Sequence, residues 1–176
     1  VFDARGVVGT YRKTHVPTPE IGPWRERREV AVFAQAKARY GVEICYDSHF
    51  PELSNILAER GAESLFFPHA SGMGESAADK KARWLRYMPA RAYDNGVYVA
   101  VCNPVGDPGA GICFAGVSFI CNARGEVVAE AASSTEEEMV GADLKGAELA
   151  AARSVPETFF RHFRRPEMYA KWTRGN

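Results

Sequence analysis

An α/β architecture built on a mixed sheet is what this sequence predicts, and three observations carry the prediction. Short apolar runs suited to strands alternate with longer segments of helical spacing. Two hairpin signals, one at the start of the chain and one around residues 122–125, argue against a sheet that is parallel throughout. The length of 176 residues suits one domain, 1–176, with a continuous core. Helices are expected on one face of the sheet, which leaves the other face in need of a partner layer.

The elements follow in order. Val1, Phe2 and Asp3 open as a strand with no leading loop, and with the turn signal Ala4-Arg5-Gly6 and a strand over 7–13 they read as a hairpin. A chain that starts in mid-sheet is expected to be part of something longer. The loop "THVPTPEIGPW" cannot be regular, because Pro17, Pro19 and Pro23 each interrupt it. A charged patch over 25–29 precedes strands over 30–33 and 40–45. Residues 51–60 have helical spacing, with Leu53, Ile56 and Leu57 on one face, Pro51 in the first turn and Gly61 as the stop. A short buried strand is expected over 64–68. One long amphipathic helix is expected over 76–95, with Trp84, Leu85 and Met88 inward and Lys80, Lys81 and Arg86 outward, kinked at Pro89 and ended by Gly96. Then come a strand over 97–102 that is apolar on both faces, a hairpin of 116–121 with 126–131, a strand over 139–143 and a helix over 144–153. The tail from 155 onward is aromatic and basic, with no clear period.

Composition narrows the function classes. Lys+Arg and Asp+Glu are equal at 22 each, so the formal charge gives no reason to expect nucleic acid or an anionic membrane as partner. No apolar run approaches the roughly 20 residues needed to span a bilayer. The cysteines Cys45, Cys102, Cys113 and Cys121 form no C-x-x-C pair and no histidine pair has zinc-ligand spacing, so a structural metal site is not expected; no glycine fingerprint follows a strand, so a nucleotide cofactor is not expected either. Three of the four, all but Cys45, fall in apolar runs and read as core filler. Unpaired thiols of this kind suit a reducing cytoplasm.

Cys45 differs. In "VEICYDSHFPE" an apolar run stops at a cysteine where a strand hands over to a proline-led helix. Unpaired amides in such a turn favour a thiolate and can receive an oxyanion; a buried strand-end cysteine is the other reading of the same stretch. A nucleophile needs a base. His15, His49, His69 and His162 are the histidine candidates, and none sits in a recognisable cysteine-protease signature.

Five stretches taken together are more specific. "GTYRKTHVP" with Lys13, "VEICYDSHFPEL", "GAESLFFPHAS", "ARAYDNGVYVAVCNPVG" and "GVSFICNARGEVVAEA", followed by "RRPEMY", resemble the nitrilase superfamily of carbon–nitrogen hydrolases, in order and over almost the whole chain. The resemblance implies a nitrilase-like αββα sandwich, mixed sheets with helices outside, present here as its C-terminal portion. It also implies a Glu-Lys-Cys triad that uses neither histidine nor metal. By motif, Cys45 is then the nucleophile, Lys13 the cation that supports the oxyanion, and the Tyr46 main-chain N–H a second donor. Glu20 matches a second glutamate that orients the lysine or the substrate. Glu26 and Glu29 lie in a charged run and fit less well, and Glu52 suits the first turn of a helix. The general-base glutamate of the superfamily lies well upstream of the lysine, outside this chain. His69 and Ala70 correspond to the pocket wall.

The resemblance further implies a small-molecule substrate. Asp47, Ser48 and His49 stand where N-carbamoyl-amino-acid hydrolases carry a pair of arginines, so a bidentate carboxylate clamp is not evident. An amide or an N-carbamoyl amine is the expected substrate; a nitrile, or no turnover at all in an oligomeric relative, is the alternative. Dimers or larger homo-oligomers would form through the helix after Cys45, the long helix and the aromatic tail, with Trp84 and Tyr87 either at that interface or in the intrachain core.

Overall fold

A six-stranded mixed sheet carries the core of the computed structural model, which describes residues 1–20, 29–72, 74–109 and 111–173. The strands are β3 (Val32–Gln35), β4 (Ala38–Val42), β5 (Ser64–Pro68), β6 (Tyr98–Cys102), β7 (Phe119–Cys121) and β8 (Val127–Glu130), adjacent in that order. The central pairs β4–β5 and β5–β6 are parallel, and the outer pairs are antiparallel. Parallel neighbours need crossovers. Helix α1 (Pro51–Glu59) links β4 to β5, and α2 (Ala77–Trp84) with α3 (Met88–Asn95) links β5 to β6. A small antiparallel pair, β1 (Phe2–Asp3) with β2 (Gly6–Val7), precedes the sheet; α4 (Gly146–Ser154) and α5 (Pro166–Thr173) follow it.

The pleat decides which side is dry. Leu65 and Phe67 of β5, Val99 and Val101 of β6, and Phe119 and Cys121 of β7 share one face, where they pack with Leu53 and Leu57 of α1, Trp84 of α2, and Met88 and Ala92 of α3. Gly41 of β4 lies flush beneath this layer: a Cβ there would sit 2.8 Å from Leu57 Cδ1 and 3.0 Å from Leu65 Cδ2. The opposite face carries Tyr40, Val42, Phe66, Ala100 and Ile120, and Phe66 remains 39% exposed. Its end at Tyr98 is covered by a helix, through Leu149 and Ala152 of α4.

Several expectations are corrected. The strand over 7–13 ends at Val7: Val8 N and Gly9 N turn back to Val1 O, Tyr11 Oη reaches Asp47, and Thr14 N and His15 N just beyond do the same. The strand over 40–45 stops at Val42 and Cys45 begins a 3-10 turn (Cys45–His49). The long helix is two helices: Pro89 sits in the first turn of α3, where its missing N–H and fixed φ are tolerated, and Gly96 caps α3 at φ 56°. Lys80 points inward, fully buried. Residues 139–143 are not a strand, and Met139 is 95% exposed. The tail holds a 3-10 turn (Phe160–Phe163) and α5. Of the cysteines read as core filler only Cys121 is buried; Cys102 and Cys113 are exposed. Trp84 belongs to the core, whereas Tyr87 is half-buried against it. The patch over 25–28, Glu26 included, lies outside the described residues.

Candidate active site

Cys45 is the one non-glycine with positive φ among the described residues, at 49°. A left-handed backbone at such a residue costs on the order of 1–3 kcal/mol and persists only where the surroundings over-determine it. Here they do. Ser48 Oγ donates to the Cys45 carbonyl at 2.7 Å, Asp47 N to Ile44 O at 3.1 Å, and the Arg91 guanidinium of α3 grips Ser48 O at 3.1 and 3.3 Å. The turn opens a short helix, so its first amides, that of Tyr46 included, have no intrahelical acceptor. The Tyr46 ring turns away to pack on His49 and Phe50, which leaves the main-chain N–H as its contribution.

A cavity of about 500 Å³ opens above this turn. Its lining brings together Lys13, Glu20, Cys45, His69 and Ala70, with Val16, Ile44 and Pro68 as apolar walls and Arg12 beside Lys13. Lys13 Nζ donates to Glu20 Oε2 at 2.9 Å, and the lysine is the more buried partner, with its side chain 15% exposed against 43%. Glu20 thus meets the ammonium from the more exposed side. His69 Nδ1 lies 3.0 Å from Phe67 O, and its ring packs on Trp84 with centroids 4.3 Å apart. Burial pushes its pKa down to about 4, so at neutral pH the ring is an uncharged part of the wall.

Sequence reasoning missed the supports of this site. Asp47, fully buried, accepts from Tyr11 Oη and Ile44 N on one oxygen and from Thr14 N and His15 N on the other. Its signal is a carboxylate two residues after the cysteine, inside a tight turn. Glu43 is also fully buried: Oε1 accepts from Ser54 Oγ at 2.7 Å, while Oε2 has no partner among the described residues. Burial, reinforced by the nearby Asp47 charge, pushes its pKa up to about 8. Lys80 donates to Ser71 O at 2.5 Å and Gly72 O at 3.1 Å, anchoring the chain just beyond the His69–Ala70 wall. Its four-residue spacing from Trp84 places both on one helix face, a signal that outweighs its charge. Among the described residues no group of His, Cys, Asp or Glu could hold a metal, and none of their helices is long and apolar enough to cross a membrane.

The family model for carbon-nitrogen hydrolases matches residues 1–154. The chain belongs to the carbon–nitrogen hydrolase family. It is 34% identical over 158 residues to the N-carbamoylputrescine amidase of Arabidopsis thaliana, which covers 80% of this chain and 52% of that protein. It is 33% identical to the omega-amidase NIT2 of Homo sapiens, over 97% of this chain and 62% of the relative. Among solved structures, a carbon-nitrogen hydrolase from Helicobacter pylori superposes with a TM-score of 0.80 at 30% identity, covering 96% of this chain and 61% of the other. The fold is therefore the nitrilase-like α/β fold of this family. The chain spans between half and two-thirds of the length of these relatives.

Proposed function

We propose that this carbon–nitrogen hydrolase chain forms the cysteine and lysine side of an amide-hydrolysing site. Cys45 sulfur adds to the carbonyl carbon of an amide or N-carbamoyl amine. The oxyanion formed is held by the Lys13 ammonium and the Tyr46 N–H. Collapse breaks the C–N bond, the nitrogen leaves as an amine or ammonia after taking up a proton, and a thioester on Cys45 remains. Water then adds to the thioester, and the sulfur leaves as thiolate.

The observation that carries this reading is the meeting of Cys45, on its strained turn, with the Lys13–Glu20 pair in one cavity. Glu20 is the one carboxylate of the described cavity lining and is engaged with Lys13. The family resemblance accordingly gives the proton-transfer role to a glutamate upstream of the matched region. An amide or N-carbamoyl substrate is favoured over a carboxylate-clamped one because Asp47 and Ser48 are buried and His49 packs on Tyr87, so no cation follows Cys45 into the cavity. The names of the relatives, an N-carbamoylputrescine amidase and an omega-amidase, agree with that class.

Hydroxylamine trapping tests it. With a protein that includes the family's upstream glutamate and hydroxylamine present, short aliphatic amides should release ammonia and yield the hydroxamate of an intercepted thioester, and an N-carbamoyl amine should release its amine and yield hydroxyurea from an intercepted S-carbamoyl cysteine. The Cys45→Ala variant should yield neither. Hydroxamate formation that survives Cys45→Ala, or no product from any substrate of the two classes, would overturn the assignment.

A further inference from the structure

We propose that Asp47 is a positioning residue that sets Lys13 against Cys45, its buried carboxylate tying the lysine-bearing segment to the cysteine-bearing turn. The inference rests on the reading above that Lys13 and Cys45 act together. Its ground is where the donors come from. Oδ2 receives Tyr11 Oη at 2.8 Å and Ile44 N at 3.0 Å. Oδ1 receives Thr14 N at 3.2 Å and His15 N at 2.8 Å, with His15 Nδ1 3.0 Å away. Residues 11, 14 and 15 bracket Lys13, residue 44 adjoins Cys45, and Asp47 itself is two positions beyond the sulfur.

Beyond Val7 the segment that carries Lys13 pairs with no strand among the described residues. Its other ties there are Val8 N and Gly9 N to Val1 O at 3.0 and 3.5 Å, Tyr11 Oη to Thr14 Oγ1 at 2.9 Å, Lys13 Nζ to Glu20 Oε2 at 2.9 Å, and the His15 ring stacked on Phe50 at 3.7 Å. Of these, the His15–Phe50 stack alone reaches the cysteine-bearing turn, at its far end. Hydrogen bonds to a buried carboxylate are among the stronger ones available. Asp47 thus acts as a two-sided bracket, one oxygen reaching both segments and the other held by the lysine side alone. Loss of the bracket lets the ammonium drift from the sulfur, and a displacement near 1 Å at a reacting centre can cost on the order of 100-fold.

A double-mutant cycle separates positioning from general support. In the whole chain, the rate of Cys45 carbamidomethylation by iodoacetamide is followed by peptide mass mapping for wild type, Asp47→Asn, Lys13→Met and the double variant. Both single variants are expected to slow Cys45 by about tenfold, and the double variant to be no slower than Lys13→Met alone, because residues acting as a unit are non-additive. Losses that multiply, or an Asp47→Asn rate equal to wild type while Lys13→Met is slow, overturn the inference and leave the Lys13–Cys45 reading standing. A Lys13→Met rate equal to wild type removes both. Should Asp47→Asn fail to fold, Tyr11→Phe deletes one donor and leaves the main chain intact. It should slow Cys45 by about threefold, again without adding to Lys13→Met; an additive loss contradicts the proposal.

Discussion

A buried carboxyl and a buried imidazole give this protein a lopsided response to pH. Glu43 is pushed up to about 8, chiefly by burial, so above its ordinary range the folded chain keeps a proton that the unfolded chain has released. Stability therefore falls as pH rises through that window. His69 is pushed down to about 4, so the unfolded chain takes up a proton that the folded one refuses, and stability is lost as pH falls from the usual imidazole range toward 4. Where the two windows overlap, from about pH 4.5 to about pH 6.5, the slopes oppose and cancel. Urea midpoints should then hold level from about pH 5 to 6.5 and decline toward pH 8, and Glu43→Gln should abolish the decline. An unchanged decline in that variant would show that Glu43 is not its source.

Helix α2 ties the fold to the pocket through one side chain. Lys80 is buried over Trp84 and donates to the carbonyls of Ser71 and Gly72, while Asn103 Nδ2 reaches Ser71 O at 3.1 Å and its Oδ1 accepts from Ser71 N at 2.9 Å. Burial holds the Lys80 pKa below the usual lysine range. Lys80→Met would take the Lys80 donor from the part-buried Gly72 carbonyl and leave Ser71 O with Asn103 Nδ2 as its side-chain donor, a loss of about 1 kcal/mol or more. Chemical denaturation should show that loss, and an unchanged midpoint would mean that the wall stands without Lys80.

The same scale shows what was legible in the sequence. Helix α1 was readable because Pro51 and Gly61 punctuate it and Leu53 and Leu57 keep its period; the β7–β8 hairpin was readable from Asn122 and Gly125. The left-handed backbone of the turn at Cys45 was not, because the approach "VEIC" alternates like a strand and a positive φ at cysteine has no propensity signal. Residues 8–13 misled in the same way: their pattern suits a strand, but Val8 N and Gly9 N turn back to Val1 O and Tyr11 Oη goes to an aspartate 36 positions away. Cys45, Lys13, Glu20, His69 and Ala70 came from the motif order, and the cavity joins them. The supports Asp47, Glu43 and Lys80 did not, since a lone charged residue in sequence reads first as solvated surface.

At the scale of the whole molecule, the sheet is a platform with one finished face. Helices α1 to α3 cover the side of Leu65 and Val99, and the other side keeps Phe66 exposed beside Val42, Ala100 and Ile120. The cavity with Cys45 opens past the C-terminal end of β4 and the end of β5, where parallel strands of an open α/β sheet present their loops to ligands. The chain spans 61% of the Helicobacter pylori relative.

The central claim is that Cys45 is an activated nucleophile supported by Lys13. Cys102 and Cys113 are exposed thiols in the same chain and serve as internal controls. With limiting iodoacetamide near neutral pH and site-resolved mass mapping, Cys45 should be modified at least about tenfold faster than either control, despite being less exposed. Replacing Lys13 by Met should bring it down to their rate. A Cys45 that reacts no faster than Cys102 and Cys113, or one indifferent to the loss of Lys13, would contradict the account.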